Sequence, residues 1–373
     1  MQILFLTPNF ENYTASQYQS NTIKYIKKHS DVILWGPGYN NFDQNLSLQQ
    51  VVEKFNLSRD DAICVGHGWL SDSPFDKKQK NNNYKRYSWM GEKNINLNLN
   101  VLEYCKEYNF EEFKGKKICI LNKEYVLLEE KLDFIKKSKF DFVLCLNPHY
   151  KNYEKLTNTE FKFWPNAVDH ELYLNKSKEK KYDFCFSGLI SNPYVSSIFS
   201  DKNKYLLRLR VLNEIFFSLG AFKIARRKNY SMYNIFWNTF TGNKYFDKIL
   251  KILCKYKYLN NSEYSKLIRS SRVVLNILGP SDLIGPRYFE SMISKSVCLC
   301  QESSLYKEIF TPMKHYVPFK EDLSDFKEKL HFCISDSEEV NKIKENAYNL
   351  ILNNHTYDRR AQDMIAWISN IKK

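Results

Sequence analysis

Glycine is scarce: 11 of 373 residues. So few glycines leave little room for multi-glycine phosphate loops. The nine cysteines, an odd number, never stand as C-x-x-C. A disulfide framework and a zinc site are therefore not expected. Several cysteines lie inside apolar runs, as in ICILN and VLCLN, and read as buried free thiols in a reducing cytoplasm. No stretch approaches 18 apolar residues, so no transmembrane helix is expected. The start, MQILFLTPNF, has no Lys or Arg before a short apolar run and does not read as a signal peptide. No D-x-D metal motif appears in a convincing context, since Asp72 and Asp76 are not at that spacing. We expect no metal and no cofactor.

Hydrophobic residues make up 43% and aromatics 16% of the chain, with 26 Tyr and 26 Phe. That supports a large core and excludes wholesale disorder. The length suits two domains. Lys and Arg number 56 against 42 Asp and Glu, a net charge of +14, so the chain meets phosphates, nucleic acid or an acidic membrane face readily. The density of Asn and Lys, as over Lys77–Arg86, reads as compositional drift.

Short apolar runs alternate with helical-length segments. Ile3–Leu6, Val32–Trp35, Ala62–Val65, Ile118–Leu121 and Phe142–Leu146 read as strands. Tyr18–Lys28, Leu48–Phe55 and Tyr125–Lys139 read as helices, the second opened by a capping box of Ser47 and Gln50. Buried strands alternating with helices predict a parallel sheet in an α/β layer. After the polar linker Asn175–Lys181 the pattern restarts. Strands are expected at Tyr182–Phe186, Val273–Ile277, Val297–Cys300 and Tyr316–Pro318. Helices are expected at Tyr205–Leu219, Ser262–Ser270, Tyr288–Ser294, Ser304–Phe310, Leu323–Ser335, Glu338–Asn353 and Tyr357–Ile371. The result is two doubly wound halves, and ligands of such sheets bind at the carboxyl ends of the strands. Residues 220–258 fit least and read as an insertion or helical hairpin. Their basic run, Lys244–Lys257, suits either an anionic membrane surface or a helix with solvated lysines outside.

The segment Ser281–Glu290 carries the strongest constellation. Asp282 and Glu290 are separated by seven residues, and Gly285-Pro286 precedes a helix start. Free amides and the helix dipole there favour a phosphate. Arg287 in the first turn opposes the dipole unless it bonds an anion, or is held in a salt bridge. Glu290, one turn in, suits both hydroxyls of a ribose. His67, between two glycines after a strand, suits proton transfer or a turn held by backbone bonds. His149, in Asn147-Pro148-His149, is placed similarly. Gly36 and Gly38 form a tight turn or line an acceptor side.

At these motifs the sequence resembles GT-B glycosyltransferases of the group 1 kind, and among them the CgeB-like (spore maturation protein) branch. Trp35–Tyr39 resembles that branch's GPG turn. Ala62–Gly68 resembles its strand ending in a histidine turn. Pro165–Asp169 resembles the "PNGVD" opening of the second domain, with Ala for Gly. Tyr182–Gly188 resembles its next strand and glycine loop, Gly285–Glu290 the "RxFE" motif, and His355–Ala361 the closing "HTYxxRA" segment.

The resemblance implies a GT-B fold, α/β with two Rossmann-like doubly wound domains facing a central cleft. It implies an acceptor domain over 1–170, a nucleotide-sugar donor domain over 171–355, and a last helix, 356–373, packing back toward the first domain. It implies Glu290 on the ribose, Asp282 (one methylene shorter than the usual Glu) at the donor sugar, and Arg287 at the diphosphate. Ser187 and Gly188 match the loop approaching the phosphates. Arg208 and Arg210 both fall where the branch has an arginine, and the usual lysine has no clear match. The implied activity is metal-independent transfer of a sugar from a nucleotide donor to a glycan, lipid-linked or protein acceptor, for surface polysaccharide or glycoconjugate synthesis. The implied location is cytoplasmic or peripheral on the inner membrane face, and the Asp282–Glu290 spacing favours retention. The alternatives are a GT-B epimerase, a non-catalytic nucleotide-sugar binder and a basic nucleic-acid-binding protein. No nucleic-acid signature accompanies the charge, so no nucleic acid is expected.

Overall fold

Apolar runs too short for a helix become the buried strands of two parallel sheets in the computed structural model. The structure describes residues 1–9, 17–67, 69, 108–122, 124, 128–174, 180–186, 224–225, 261–279, 283–335 and 337–372. These divide into two compact units, Met1–Pro165 with Tyr357–Lys373, and Asn166–Thr356.

Unit 1 contains Gln2–Leu6 (β1), Gln17–His29 (α1), Asp31–Trp35 (β2), Leu48–Lys54 (α2), Ala62–Val65 (β3), Lys116–Leu121 (β4), Leu128–Ser138 (α3), Phe142–Cys145 (β5), Tyr150–Thr157 (α4) and Phe161–Phe163 (β6). The sheet order is β2-β1-β3-β4-β5-β6, every pair parallel. Residues of β3, β4 and β5 are buried throughout, as expected of strands covered on both faces. Lys117 in β4 is buried with its ammonium donating to the carbonyls of Phe110 and Ser138 at 2.6 and 3.3 Å. The capping box is present: Gln50 N–H donates to Ser47 Oγ, and Ser47 N–H to Gln50 Oε1. The C-terminal helix, Tyr357–Ser369, packs on α1. There His29 Nε2 meets Asp358 at 2.8 Å and Tyr25 stacks on Tyr357.

Unit 2 contains His170–Tyr173 (α5), Tyr182–Cys185 (β7), Ile224–Ala225 (β8), Asn261–Arg269 (α6), Ser271–Asn276 (β9), Pro286–Ile293 (α7), Val297–Gln301 (β10), a 3-10 turn at Ser304–Glu308, Val317–Phe319 (β11), Phe326–Ile334 (α8) and Glu338–Asn354 (α9). Its parallel sheet runs β11-β10-β9-β7-β8. Phe184, Val273, Leu275, Leu299, Val317 and Phe319 form its core against α8 and α9.

Most expected elements lie within a residue or two of their observed bounds. The expected helix Tyr205–Leu219 lies outside the described residues. Within 220–258, Ile224–Ala225 is an edge strand pairing with Phe184 and Cys185; a two-residue strand before a basic run leaves no periodic signal. The elements α4, β6 and α5 were also not anticipated, being three to eight residues long. The seven described cysteines are free and buried. Among the described residues, no helix is long and apolar enough to cross a membrane.

Candidate functional site

The start of α7 is assembled from several strand ends and loops of unit 2. After β9, Leu278 N–H donates to Gln301 Oε1 at 3.3 Å, at the carboxyl end of β10. Gly279 N–H donates to the Leu283 carbonyl at 2.9 Å. The Ile284 carbonyl accepts from Asn166 Nδ2 at 2.8 Å. Gly285 is the helix cap, with no side-chain cap bond, and Pro286 is the first helical residue. Proline is suited there because its missing N–H would lack a helical partner anyway. Gly285 has φ −70°, which any residue adopts, and a Cβ added there would meet nothing within 4 Å among the described residues. Neither the backbone nor the packing of the described residues demands a glycine, so among them nothing covers the position where a Cβ would stand.

Tyr288, Phe289, Met292 and Ile293 bury the inner face of α7, while Arg287 and Glu290 stay half-buried. The Tyr264 hydroxyl, from α6, donates to Glu290 Oε2 at 3.0 Å, and Tyr173, at the end of α5 with its ring edge-on to Tyr264 at 6.4 Å, also favours the ionised form of this carboxyl. Burial pushes the Glu290 carboxyl above the usual range, while the Arg287 guanidinium and the two tyrosine hydroxyls act in the opposite direction. The result is a cation and an oriented carboxylate one turn apart, beside first-turn amides. This set can hold a phosphate and a pair of hydroxyls together.

The α7 start thus unites Gly285, Pro286, Arg287 and Glu290. Ser187, Gly188, Arg208, Arg210 and Asp282 lie outside the described residues. Gly36, Gly38, His67 and His149 belong to unit 1. Gly36 has φ +154°, and a Cβ there would lie 2.3 Å from the Thr7 carbonyl oxygen. The GPG turn latches the end of β2 to the residues after β1, with Asn9 N–H donating to the Pro37 carbonyl at 2.9 Å. His149 caps α4, its N–H donating to Asn147 Oδ1 at 2.8 Å. His67 is buried, its ring edge-on to Tyr18 at 4.5 Å and near-parallel to Trp164 at 6.5 Å.

Sequence reasoning missed Glu124. It is 2% exposed, three residues beyond β4, and Cys145 Sγ donates to its Oε1 at 3.6 Å. Burial first, and the Glu124 charge among the further causes, push up the pKa values of Tyr18, Cys145 and Tyr153. Thr7, His67, Glu124 and Asn147 are therefore buried polar groups just beyond the carboxyl ends of four adjacent strands, β1, β3, β4 and β5. Tyr173 and Tyr264 were missed as well; both are tyrosines in a tyrosine-rich chain, and only the fold singles them out. Among the described residues, no group of three His, Cys, Asp or Glu side chains is arranged to hold a metal ion.

Comparison with solved structures decides the architecture. The Anabaena HepE structure in complex with UDP and glucose aligns over 100% of both chains, with a TM-score of 0.56 at 11% identity. The fold is GT-B. A Rickettsia africae glycosyltransferase aligns over 98% of this chain and 97% of its own, with a TM-score of 0.56 at 11% identity. The E. coli trehalose-6-phosphate structure bound with UDP-2-fluoro glucose aligns over 100% of both chains, with a TM-score of 0.59 at 9% identity. Two further Anabaena HepE complexes hold UDP and UDP-glucose. Residues 227–366, which include α6, β9, α7 and the sheet edge beyond, match the family model described as "Glycosyl transferase-like". No curated protein sequence matches the chain.

Proposed function

We propose that the protein is a glycosyltransferase that holds a nucleoside-diphosphate sugar at the start of α7 and transfers the sugar to a hydroxyl-bearing acceptor. The observation that carries this reading is the Glu290 carboxylate beside the glycine-capped helix start, with Arg287 one turn away. Glu290 accepts the ribose hydroxyls, and Arg287 with the first-turn amides faces the diphosphate. During transfer the acceptor oxygen bonds the anomeric carbon, and the bond from that carbon to the phosphate oxygen breaks. The electron pair departs with the diphosphate, whose charge the arginine and amides stabilise without a metal. The seven-residue interval between Asp282 and Glu290 supports retention, with the departing phosphate oxygen receiving the acceptor proton. Ser187, Gly188 and one of Arg208 and Arg210 join the phosphate side.

On the acceptor side we assign His67 and Glu124, each just beyond a strand of unit 1, where parallel sheets take ligands. We read Gly36 and Gly38 as the latch of that edge and His149 as a helix cap. The CgeB-like branch is our assignment within the fold, resting on the six ordered motifs. The acceptor class is a glycan, lipid-linked glycan or protein.

The test is a thermal-shift series with UDP, GDP, ADP, CDP and TDP on the wild type and on Glu290→Ala. A ligand that binds only the folded state raises the melting temperature by mass action. We expect one nucleotide to stabilise the wild type and the variant to lose that shift. If no nucleotide shifts the wild type, the reading is wrong.

A further inference from the structure

The segment Asn166–Leu174 carries none of the groups assigned above. It opens unit 2, and sequence analysis gives it only a place at a domain junction. In the structure it is a strap laid along α7. At one end Asn166, 8% exposed, donates from Nδ2 to the Ile284 carbonyl at 2.8 Å, immediately before the Gly285 cap. A loop carbonyl buried without a donor is costly, and here a side chain from 118 residues away supplies one. Asp169 then caps α5, its carboxylate accepting from Glu171 N–H at 3.2 Å. That cap directs the short helix so that the Tyr173 ring lies edge-on to Tyr264, the donor to Glu290, at 6.4 Å between centroids, and its hydroxyl acts on the same carboxyl. The Tyr173 carbonyl accepts from Ser294 Oγ at 3.3 Å, at the far end of α7. The Leu172 carbonyl accepts from Arg269, which ends the helix carrying Tyr264. The strap thus meets the start, the middle and the end of the helix that presents Arg287 and Glu290.

We propose that Asn166 and Tyr173 are positioning residues that set the affinity of the α7 site for a nucleoside diphosphate. Asn166 does so by fixing the turn before Gly285, and Tyr173 by fixing the direction of the Glu290 carboxylate. This inference rests on the donor-site reading. Among the described residues, Arg287 from its own helix, Tyr264 from α6 and Tyr173 from α5 act on that carboxylate. A carboxylate bonded by one hydroxyl and acted on by a second keeps its remaining lone pairs aimed at one place, and this orientation is weakened when one hydroxyl goes.

The experiment is calorimetric titration of the full chain with UDP, GDP, ADP, CDP and TDP, followed by titration of two variants with the nucleotide that binds. Tyr173→Phe keeps the ring and removes only the hydroxyl; Asn166→Ala removes the amide. Each is expected to raise Kd by about five- to twentyfold, the size of a lost hydrogen bond to a charged group or an exact turn. Tyr173→Phe should also move the acid limit of nucleotide binding to higher pH, because Glu290 loses a hydroxyl that favours its charged form. Asn166→Ala should leave that limit in place. Unchanged Kd values and an unmoved acid limit, with only the melting temperature lowered, would overturn the inference alone. A wild type that binds none of the nucleotides overturns the donor-site reading and this inference with it.

Discussion

Glu290 is subject to two opposing demands. Burial raises its pKa above 4.5, yet a carboxylate must be ionised to accept both hydroxyls of a ribose. Nucleotide affinity is therefore expected to fall on acidification at a pH above the ordinary glutamate range, and Glu290→Gln should flatten that profile while weakening binding at neutral pH. Titrations between pH 4.5 and 8 check this. The same shift has a folding counterpart. The folded group holds its proton more tightly than the unfolded one, so its contribution to stability declines as pH rises through the window above 4.5. Gly36 makes a different demand. Its positive φ and the 2.3 Å approach to the Thr7 oxygen leave no room for a side chain, so Gly36→Ala should cost about 1–3 kcal/mol, read as a lower midpoint in urea. Glycine at this turn was legible in the sequence, and so were Arg287 and Glu290, because a helix start is written in neighbouring residues. Glu124, Tyr173 and Tyr264 were not, because their importance comes from partners 21 to 117 residues away, and no local pattern records such a meeting.

The helix α7 is fixed at both ends. At its far end Lys180 donates to the carbonyls of Arg269 and Ser294 at 2.9 Å and to Ser296 Oγ at 3.0 Å. Burial, then the charges of Lys344 and Arg272, push the Lys180 ammonium down to about 7. Between pH 7 and about 10.5 the unfolded chain holds this proton and the folded chain releases it, so stability should rise with pH across that window. Comparing Lys180→Met with the wild type by denaturant titration at several pH values isolates the term, whose slope is at most about 1.4 kcal/mol per pH unit. At the near end, Gly285→Leu places bulk where a Cβ would meet nothing within 4 Å among the described residues. The variant should fold with a melting temperature close to that of the wild type yet lose nucleotide affinity, which titration of the folded variant checks. The sequence located most strands and helices because buried parallel strands read as apolar runs. It missed β6, β8 and α5, whose two to four residues offer too little period to detect.

Two units of similar construction divide the described chain, and under the proposed function the nucleotide acts on one of them. Hydrogen exchange with and without bound nucleotide should show protection in peptides covering Asn166–Leu174 and Leu283–Ser294, and none around Gly36–Gly38. Protection around Gly36–Gly38 in place of those segments would move the donor site to the other sheet. The whole-molecule pattern was legible because the alternation of strands and helices restarts after a polar stretch. The amphipathic pattern of the final helix names no destination, because helical period marks an apolar face and not the surface that covers it.

That final helix has a consequence for biosynthesis. Unit 2 is one continuous stretch, whereas unit 1 is completed only by Tyr357–Lys373. Those residues supply the partners of Tyr25 and His29, and Arg360, whose backbone carbonyl accepts from the Trp164 indole while its guanidinium donates to the Pro165 carbonyl. During translation unit 1 is therefore begun before unit 2 and completed after it. The face of α1 that meets Tyr357 and Asp358 waits through the synthesis of more than three hundred residues before those partners exist, 357 − 29 being 328.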